Sequence, residues 1–392
     1  MITLPRPIAA GRARVFSWRD RRLADPRHSE RVAATLGIAL GVCFFVCFLT
    51  GLLSHLIQHP PSWFTYTSRP AGLFRLTQGV HVATGIASVP LLFAKLWSVF
   101  PRLFQWPLFK DPLHLLERLS LLPLVGGSIF LLVTGVANIE LWYPWVFFFP
   151  AGHYAVAWVT MGALVIHIAA KIRITRRSLG RTQRELVEAP VSAAGRRRFL
   201  GLAATGSAAL VAVTIGQTVS PLKRLGLLAP RHPDIGIQNF PVNRTAIEAG
   251  VTKSSQDAAF RLTVMRGGTT LKAFTLDEVT ALTPHEAELP IACVEGWSAS
   301  KRWKGVALRH ILIAAGVTDL DSAEVSVESL QRGGMYRKSI VNHIQLADHD
   351  TMLATHVDGE VLAPDHGFPL RLIAPARPGV LQTKWVTTLV VR

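Results

Sequence analysis

The chain is short of cysteine and short of charge. Three cysteines in 392 residues exclude a disulfide scaffold. Cys43 and Cys47 stand four apart inside one apolar run. There they read as small residues facing lipid or a neighbouring helix. Cys293 is the only cysteine after Cys47, and no CxxC pair stands near it to build a zinc site. Charged residues make up 17% and apolar residues 49%, with a mean hydropathy of +0.32. That is too apolar for an ordinary soluble chain of this length, which has room for two or three domains.

A net charge of +17 would suit nucleic acid, but its distribution argues against such a partner. Residues 1–220 hold 23 Lys/Arg against 8 Asp/Glu, whereas residues 221–392 hold 19 against 17. The excess lies beside apolar runs, as the positive-inside rule expects. Five runs, roughly 33–57, 76–99, 117–137, 153–172 and 199–219, reach the ~20 residues that cross a bilayer as helix. The tail 1–31 carries eight arginines, the next loop two cations, the third segment four, "NIELWYPWVFFFPAGHY" none, and 171–198 nine. The alternation places the N-terminus in the cytoplasm and everything after the fifth span outside, in a bacterial inner membrane. The expected organisation is a basic tail 1–31, a four-helix membrane domain 32–175, a cytoplasmic linker 176–198, an anchor helix 199–220 and an extracytoplasmic domain 221–392. The fifth run opens with "RRRFLG" and resembles a twin-arginine export signal. A plain anchor with a basic flank is the other reading. No strong cleavage site follows, so the segment is expected to stay as an anchor.

After residue 220 the texture changes to short β-rich stretches, "FRLTVMRG", "AEVSVES" and "WVTTLVVR", punctuated by Gly and Pro. "LRHILIAAGV" reads as a helix ending near Gly316. An α+β domain is expected.

Ionisable residues inside spans are costly and usually functional. His55, His81, His153 and His167 qualify. His153 and His167 are 14 residues apart, about 21 Å and nearly four turns of helix, so they share a face. His81 and His153 both lie near the outer ends of their spans and could ligate one haem b between them. His167, at inner depth, is a candidate for a second haem. The order of "ERVAATLG", "TGL", "GVHVATG" and "GHYAVAW…VIHIAAK" over roughly 28–175 resembles the formate dehydrogenase gamma-subunit and hydrogenase cytochrome b family. Ala34 stands where that family has a histidine. His28, outside the first span, and His114, before the third, could substitute, but neither is at the family position.

A free thiol outside the cytoplasm oxidises unless it is buried or metal-bound. A thiolate with no protein co-ligand suits a metal whose other positions are filled by a cofactor. "CVEGWSASKRWKGVALRHIL" followed by "DHGFPLRLIAPARPGVLQTKWV" resembles the sulfite-oxidase superfamily of molybdopterin enzymes over roughly 235–392. The likeness is nearer to catalytic subunits of the periplasmic protein-methionine-sulfoxide reductase type. The resemblance implies a Mo-molybdopterin with molybdenum on Cys293. It implies pterin and phosphate contacts at His366, Arg371, Gln382, Thr383 and Lys384, and at Asn239, Asn243 and Ser329, and a supporting place for Trp297 and Glu295. Arginine suits bidentate phosphate contact, lysine a compact charge.

Two departures bear on substrate. The arginines that sulfite oxidases place after the molybdenum cysteine are replaced by "VEGWSAS", and neither their tyrosine nor a further domain follows in the eight residues after Lys384. Sulfite oxidation is therefore not expected. The expected function is reduction of an S- or N-oxide with electrons from the quinone pool through haem b. Substrate oxidation feeding quinone, and a non-catalytic sensor or haem-only shuttle, are the alternatives. Membrane lipid, quinone and a small-molecule or protein sulfoxide are the expected partners.

Overall fold

Polar turns extend each apolar run into a longer helix. In the computed structural model, which describes residues 25–104, 112–180, 190–229 and 231–392, these helices are α1 (Glu30–Gln58), α2 (Leu73–Val99), α3 (Pro112–Ile139), α4 (Phe149–Gly180) and α5 (Pro190–Thr214). All five are long and apolar enough to cross a membrane. Helix α5 starts well before its apolar run, with Pro190 first, where proline's missing N–H costs nothing. Helix α4 continues through "KIRITRRSLG", because Lys and Arg are good helix formers beyond the apolar stretch. Hydroxyls inside the spans bond back to their own helix, as in Thr84 to Val80 O at 2.7 Å and Ser128 to Leu124 O at 2.6 Å.

The described residues form two compact units. One runs to Gly51 and resumes over Val80–Ala212; the other comprises Leu52–Gly79 and Val213–Arg392. In the first, Val32, Leu36 and Leu40 of α1 meet Leu91 and Leu92 of α2 and Ala203 of α5. Helix α3 packs along α4. Large apolar side chains such as Phe45, Phe93, Leu122 and Val159 face outward. In water that surface would be a liability; in a bilayer it costs nothing.

The second unit holds two sheets. The first runs β2 (Thr269–Phe274), β1 (Leu262–Arg266), β10 (Val386–Val391), β5 (Val325–Ser329), β6 (Lys338–Val341), with β1 parallel to β10. The second runs β3 (Pro284–Ala292), β4 (Ser298–Ala307), β7 (Met352–Val357), β8 (Glu360–Val361), and β9 (Arg371–Ile373) also pairs with β7. The three β-rich stretches read from sequence are β1, β5 and β10. The expected helix is Leu308–Ala314, with Gly316 at φ +87° beyond it. One core packs β1, β5 and β10 against that helix. The other gathers Phe240, Trp297, Trp303 and Met352 under the β3–β4 hairpin.

The segment 52–79 belongs to this second unit. Arg69 donates to Asp348 at 2.7 and 2.8 Å and to Asp350 at 2.5 Å, and Asp350 also pairs with His285 at 2.8 Å. Ile57, Tyr66 and Phe74 cluster with Ala292 and Ala376, and the Ala376 amide donates to Ala71 O at 2.9 Å.

Candidate functional site

Cys293 opens the five-residue turn that joins β3 to β4. The turn closes on itself: Cys293 N donates to Trp297 O at 2.9 Å, and Gly296 N donates to Cys293 O at 3.1 Å. Gly296 sits at φ +94°, a region open to glycine. The thiol is buried, 2% exposed. Asn243 Nδ2 donates to its sulfur at 2.8 Å, and Asn243 Oδ1 accepts from Trp297 Nε1 at 3.2 Å. Burial, then the neighbouring Glu295, pushes the Cys293 thiol up. Burial also raises Glu295, opposed by Arg231. Without a cation the thiol stays protonated; a metal would hold it as thiolate. Among the described residues no group of three His, Cys, Asp or Glu side chains stands ready to hold a metal ion. A lone soft thiolate suits a metal whose other ligands come from a cofactor.

The turn faces a cavity of roughly 230 Å³ with a cationic wall. His366 accepts or donates through Nε2 to Ile237 O at 2.7 Å; that carbonyl can only accept, so Nε2 carries the proton. Its ring stacks on Phe240 at 3.6 Å. Arg371 donates to His366 O at 3.0 Å, while its buried Nε has no acceptor among the described residues. Lys384 donates to Arg244 O and Asp365 O, both at 2.7 Å. Burial, then Arg371, lowers Lys384 to about 7 and His366 to about 3, and burial lowers Arg371 to about 9. Gln382 Oε1 is likewise buried without a donor among the described residues. Buried cations with an open donor and an open amide oxygen fit a ligand that bears an anion and ring N–H groups.

Residues 249–392 match the family model described as "Oxidoreductase molybdopterin binding domain". They form a molybdopterin-binding oxidoreductase domain. Among curated proteins, the chain is similar to one of Azospira oryzae provisionally named protein-methionine-sulfoxide reductase subunit YedZ1. Identity is 34% over 166 residues, 42% of this chain and 61% of that protein. It is also similar to nitrate reductase [NADH] of Lotus japonicus, 39% identical over 97 residues, 23% of this chain and 11% of that protein. The chain thus spans less than two thirds of these relatives' lengths. Among solved structures, sulfane dehydrogenase SoxCD from Paracoccus pantotrophus is similar at 22% identity. It covers 34% of this chain and 38% of that one, with a TM-score of 0.31, too distant to carry an argument.

Of the residues singled out in the sequence, the molybdopterin domain brings Asn243, Cys293, Trp297, Ser329, His366, Arg371, Gln382, Thr383 and Lys384 to one cavity. Ser329 donates to Lys384 O at 2.8 Å, and Thr383 shares a 2.7 Å hydrogen bond with Ser339. Asn239 is a correction. It is exposed on a turn at φ +58° and is not among the cavity's lining residues. The left-handed turn at Gln238 and Asn239 carries the chain inward one residue later, so Phe240 is buried and Asn243 reaches the sulfur. Sequence reasoning missed Arg244, Gln331, Met335, Tyr336 and Trp385. Tyr336 supplies a cavity tyrosine from the loop before β6, whereas the family pattern directs attention beyond Lys384.

In the first unit, the His81 and His153 ring centroids lie 6.5 Å apart. Two metal–nitrogen bonds of about 2 Å plus the two ring radii span about 6 Å. His81 Nδ1 donates to Cys47 O at 2.9 Å and stands 3.1 Å from Thr50 Oγ1. His153 Nδ1 stands 3.1 Å from Thr134 Oγ1, whose own proton goes to Phe130 O at 2.7 Å. Both Nδ1 atoms therefore carry hydrogen, and both Nε2 lone pairs are left to a metal. Small neighbours make room: a Cβ on Gly51 would lie 3.0 Å from His81 Cε1. These residues fit an axially ligated haem. His167 Nδ1 and His28 Nε2 are buried without partners among the described residues. The His55 ring lies tilted against His59, centroids 5.0 Å apart. The side chain of His114 lies outside the described residues.

Proposed function

We propose that the protein is a membrane-anchored molybdenum oxidoreductase that reduces a neutral S- or N-oxide with electrons drawn from quinol. The observation that carries this reading is the buried Cys293 sulfur, which belongs to no three-residue metal cluster among the described residues and opens on a cationic cavity. Bound molybdopterin would supply two-electron oxygen-atom exchange and haem b one-electron transfer. The overall change is sulfoxide plus two electrons and two protons to sulfide plus water.

Cys293 would hold molybdenum, with Asn243 donating to the thiolate. Arg371 and Lys384 would take the pterin phosphate, and His366, Gln382 and Thr383 the remaining polar edge. Ser329 holds the Lys384 carbonyl. Trp297 fixes Asn243 through its indole N–H. Glu295 accepts from the Trp297 indole at 3.3 Å and lines the cavity beside the metal's place. Tyr336 faces the same space and can hold a substrate oxygen. His81 and His153 would hold one haem b, and His167 with His28 a second. The packing of 52–79 on the C-terminal domain supports placing both outside the cytoplasm, as the charge alternation does. The "RRRFLG" stretch within α5 supports export of a folded, cofactor-loaded domain, with α5 retained as the anchor.

Protein purified from a molybdate-replete host should carry one molybdenum per chain and oxidise a dye donor with methionine sulfoxide or trimethylamine N-oxide. Folded protein without molybdenum would refute the enzyme reading. Turnover only with a dye acceptor and a reduced substrate would reverse the electron direction. A reporter fused after Arg392 should be active outside the cytoplasm.

A further inference from the structure

The cysteine turn is gripped from two sides by residues at helix ends far away in sequence. Gln78, in the second turn of α2 and 7% exposed, donates Nε2–H to Val294 O at 2.8 Å. Thr218 follows α5 and the 3-10 turn Ile215–Gln217 and is 8% exposed; its hydroxyl donates to Gly296 O. These carbonyls are the second and fourth of the turn and flank Glu295. Thr218 also packs against Gly79, the residue after Gln78. A Cβ on Gly79 would lie 2.9 Å from Thr218 Cγ2, so the glycine after Gln78 is what admits Thr218. A third helix end reaches the cavity wall. Gln58, the last residue of α1, uses its amide N–H on Ser54 O at 3.2 Å and accepts from Tyr336 OH at 3.3 Å through Oε1.

Within the turn, the Cys293 and Gly296 amides bond internally, which leaves the Val294 and Gly296 carbonyls to outside donors. A buried carbonyl without a donor is costly, so removing either partner would drive the turn to rearrange. The turn is also held by the Asn243 contact with sulfur and by the Trp297 indole, which donates to Asn243 and to Glu295. A metal ligand held on a short turn needs its supporting hydrogen bonds to stay within useful geometry.

We propose that Gln78 and Thr218 are positioning residues that set the direction of the Cys293 sulfur through the backbone of its turn. The consequence is that the catalytic domain is completed by the ends of α1, α2 and α5 and is not a self-sufficient C-terminal module. This rests on the reading of Cys293 as the molybdenum ligand, but it can be tested without the metal.

Full-length protein carrying Gln78→Leu, Thr218→Val or Thr218→Ser would be compared with wild type. In molybdenum-free protein, iodoacetamide labelling of Cys293, followed on its own peptide by mass spectrometry, should quicken about tenfold in Gln78→Leu and Thr218→Val, the order expected for one lost hydrogen bond. Thr218→Ser, which keeps the hydroxyl, should label like wild type. In loaded protein the Mo(V) paramagnetic signal should shift in the first two variants at unchanged molybdenum content. Wild-type labelling rates and an unshifted signal in Thr218→Val would overturn the proposal even if Gln78→Leu does not fold. Absence of molybdenum from wild type would sink the enzyme reading while the labelling arm still tests the clamp.

Discussion

Asn243 Nδ2 points at Cys293 Sγ from 2.8 Å while its Oδ1 is held by the Trp297 indole at 3.2 Å. This pairing orients the amide with its donor toward the sulfur. Hydrogen bonds to a charged acceptor contribute about 1.5–3 kcal/mol, so Asn243→Leu should lower turnover about ten- to a hundredfold with molybdenum still bound. Asn243→Asp places a carboxylate beside the thiolate and should also cost molybdenum content. Turnover and elemental analysis on the same preparations check both.

In cofactor-free protein, stability should depend on pH. Lys384 falls from 10.5 to about 7 on folding. Between those values the unfolded chain binds more protons than the folded one, so stability rises with pH through that window. Below about pH 7 the penalty of burying the charge is fully present. Melting temperatures of cofactor-free protein should climb from pH 7 to pH 10. Lys384→Met should flatten that climb, and bound molybdopterin, whose phosphate returns the lysine's charge partner, should do the same.

The two candidate haem histidines are supported unequally. His81 Nδ1 has both the Cys47 carbonyl and Thr50, whereas His153 Nδ1 has Thr134. Losing a ligand's outer partner typically weakens metal binding about ten- to a hundredfold. Thr134→Val should show that loss, while Thr50→Val should bind haem nearly as wild type. Pyridine haemochrome content gives the measurement, with His81→Ala and His153→Ala as haem-free limits.

Gly296 is the turn residue least able to accept a side chain. At φ +94°, Gly296→Ala forces a left-handed strain of roughly 1–2 kcal/mol. The expected outcome is a small fall in melting temperature with a much larger loss of molybdenum, because the strain falls on the ligand turn. Equal, modest losses in both would assign the glycine to stability alone.

Local features were legible and distant pairings were not. The spans follow from runs of apolar residues, and only their ends moved, since polar turns continue a helix without changing hydropathy. Cys293, His366, Arg371 and Lys384 each sit in a short motif that singles them out, and the fold brings them to one cavity. Asn239 was misplaced because a left-handed turn reverses direction between it and Asn243. Tyr336 was invisible because its motif neighbours say nothing about a cavity.

By itself the sequence determined five membrane-capable helices, an α+β domain and a lone thiol suited to a cofactor-completed metal. Bilayer thickness, strand pattern and ligand chemistry act over short windows, and a window is enough to read them. Only the tertiary structure decided that Gln78, Thr218 and Gln58, from three helix ends, hold the turn and wall around Cys293. Each of those contacts depends on one donor meeting one acceptor 78 to 278 residues away. Folding makes such meetings, and no local pattern encodes them.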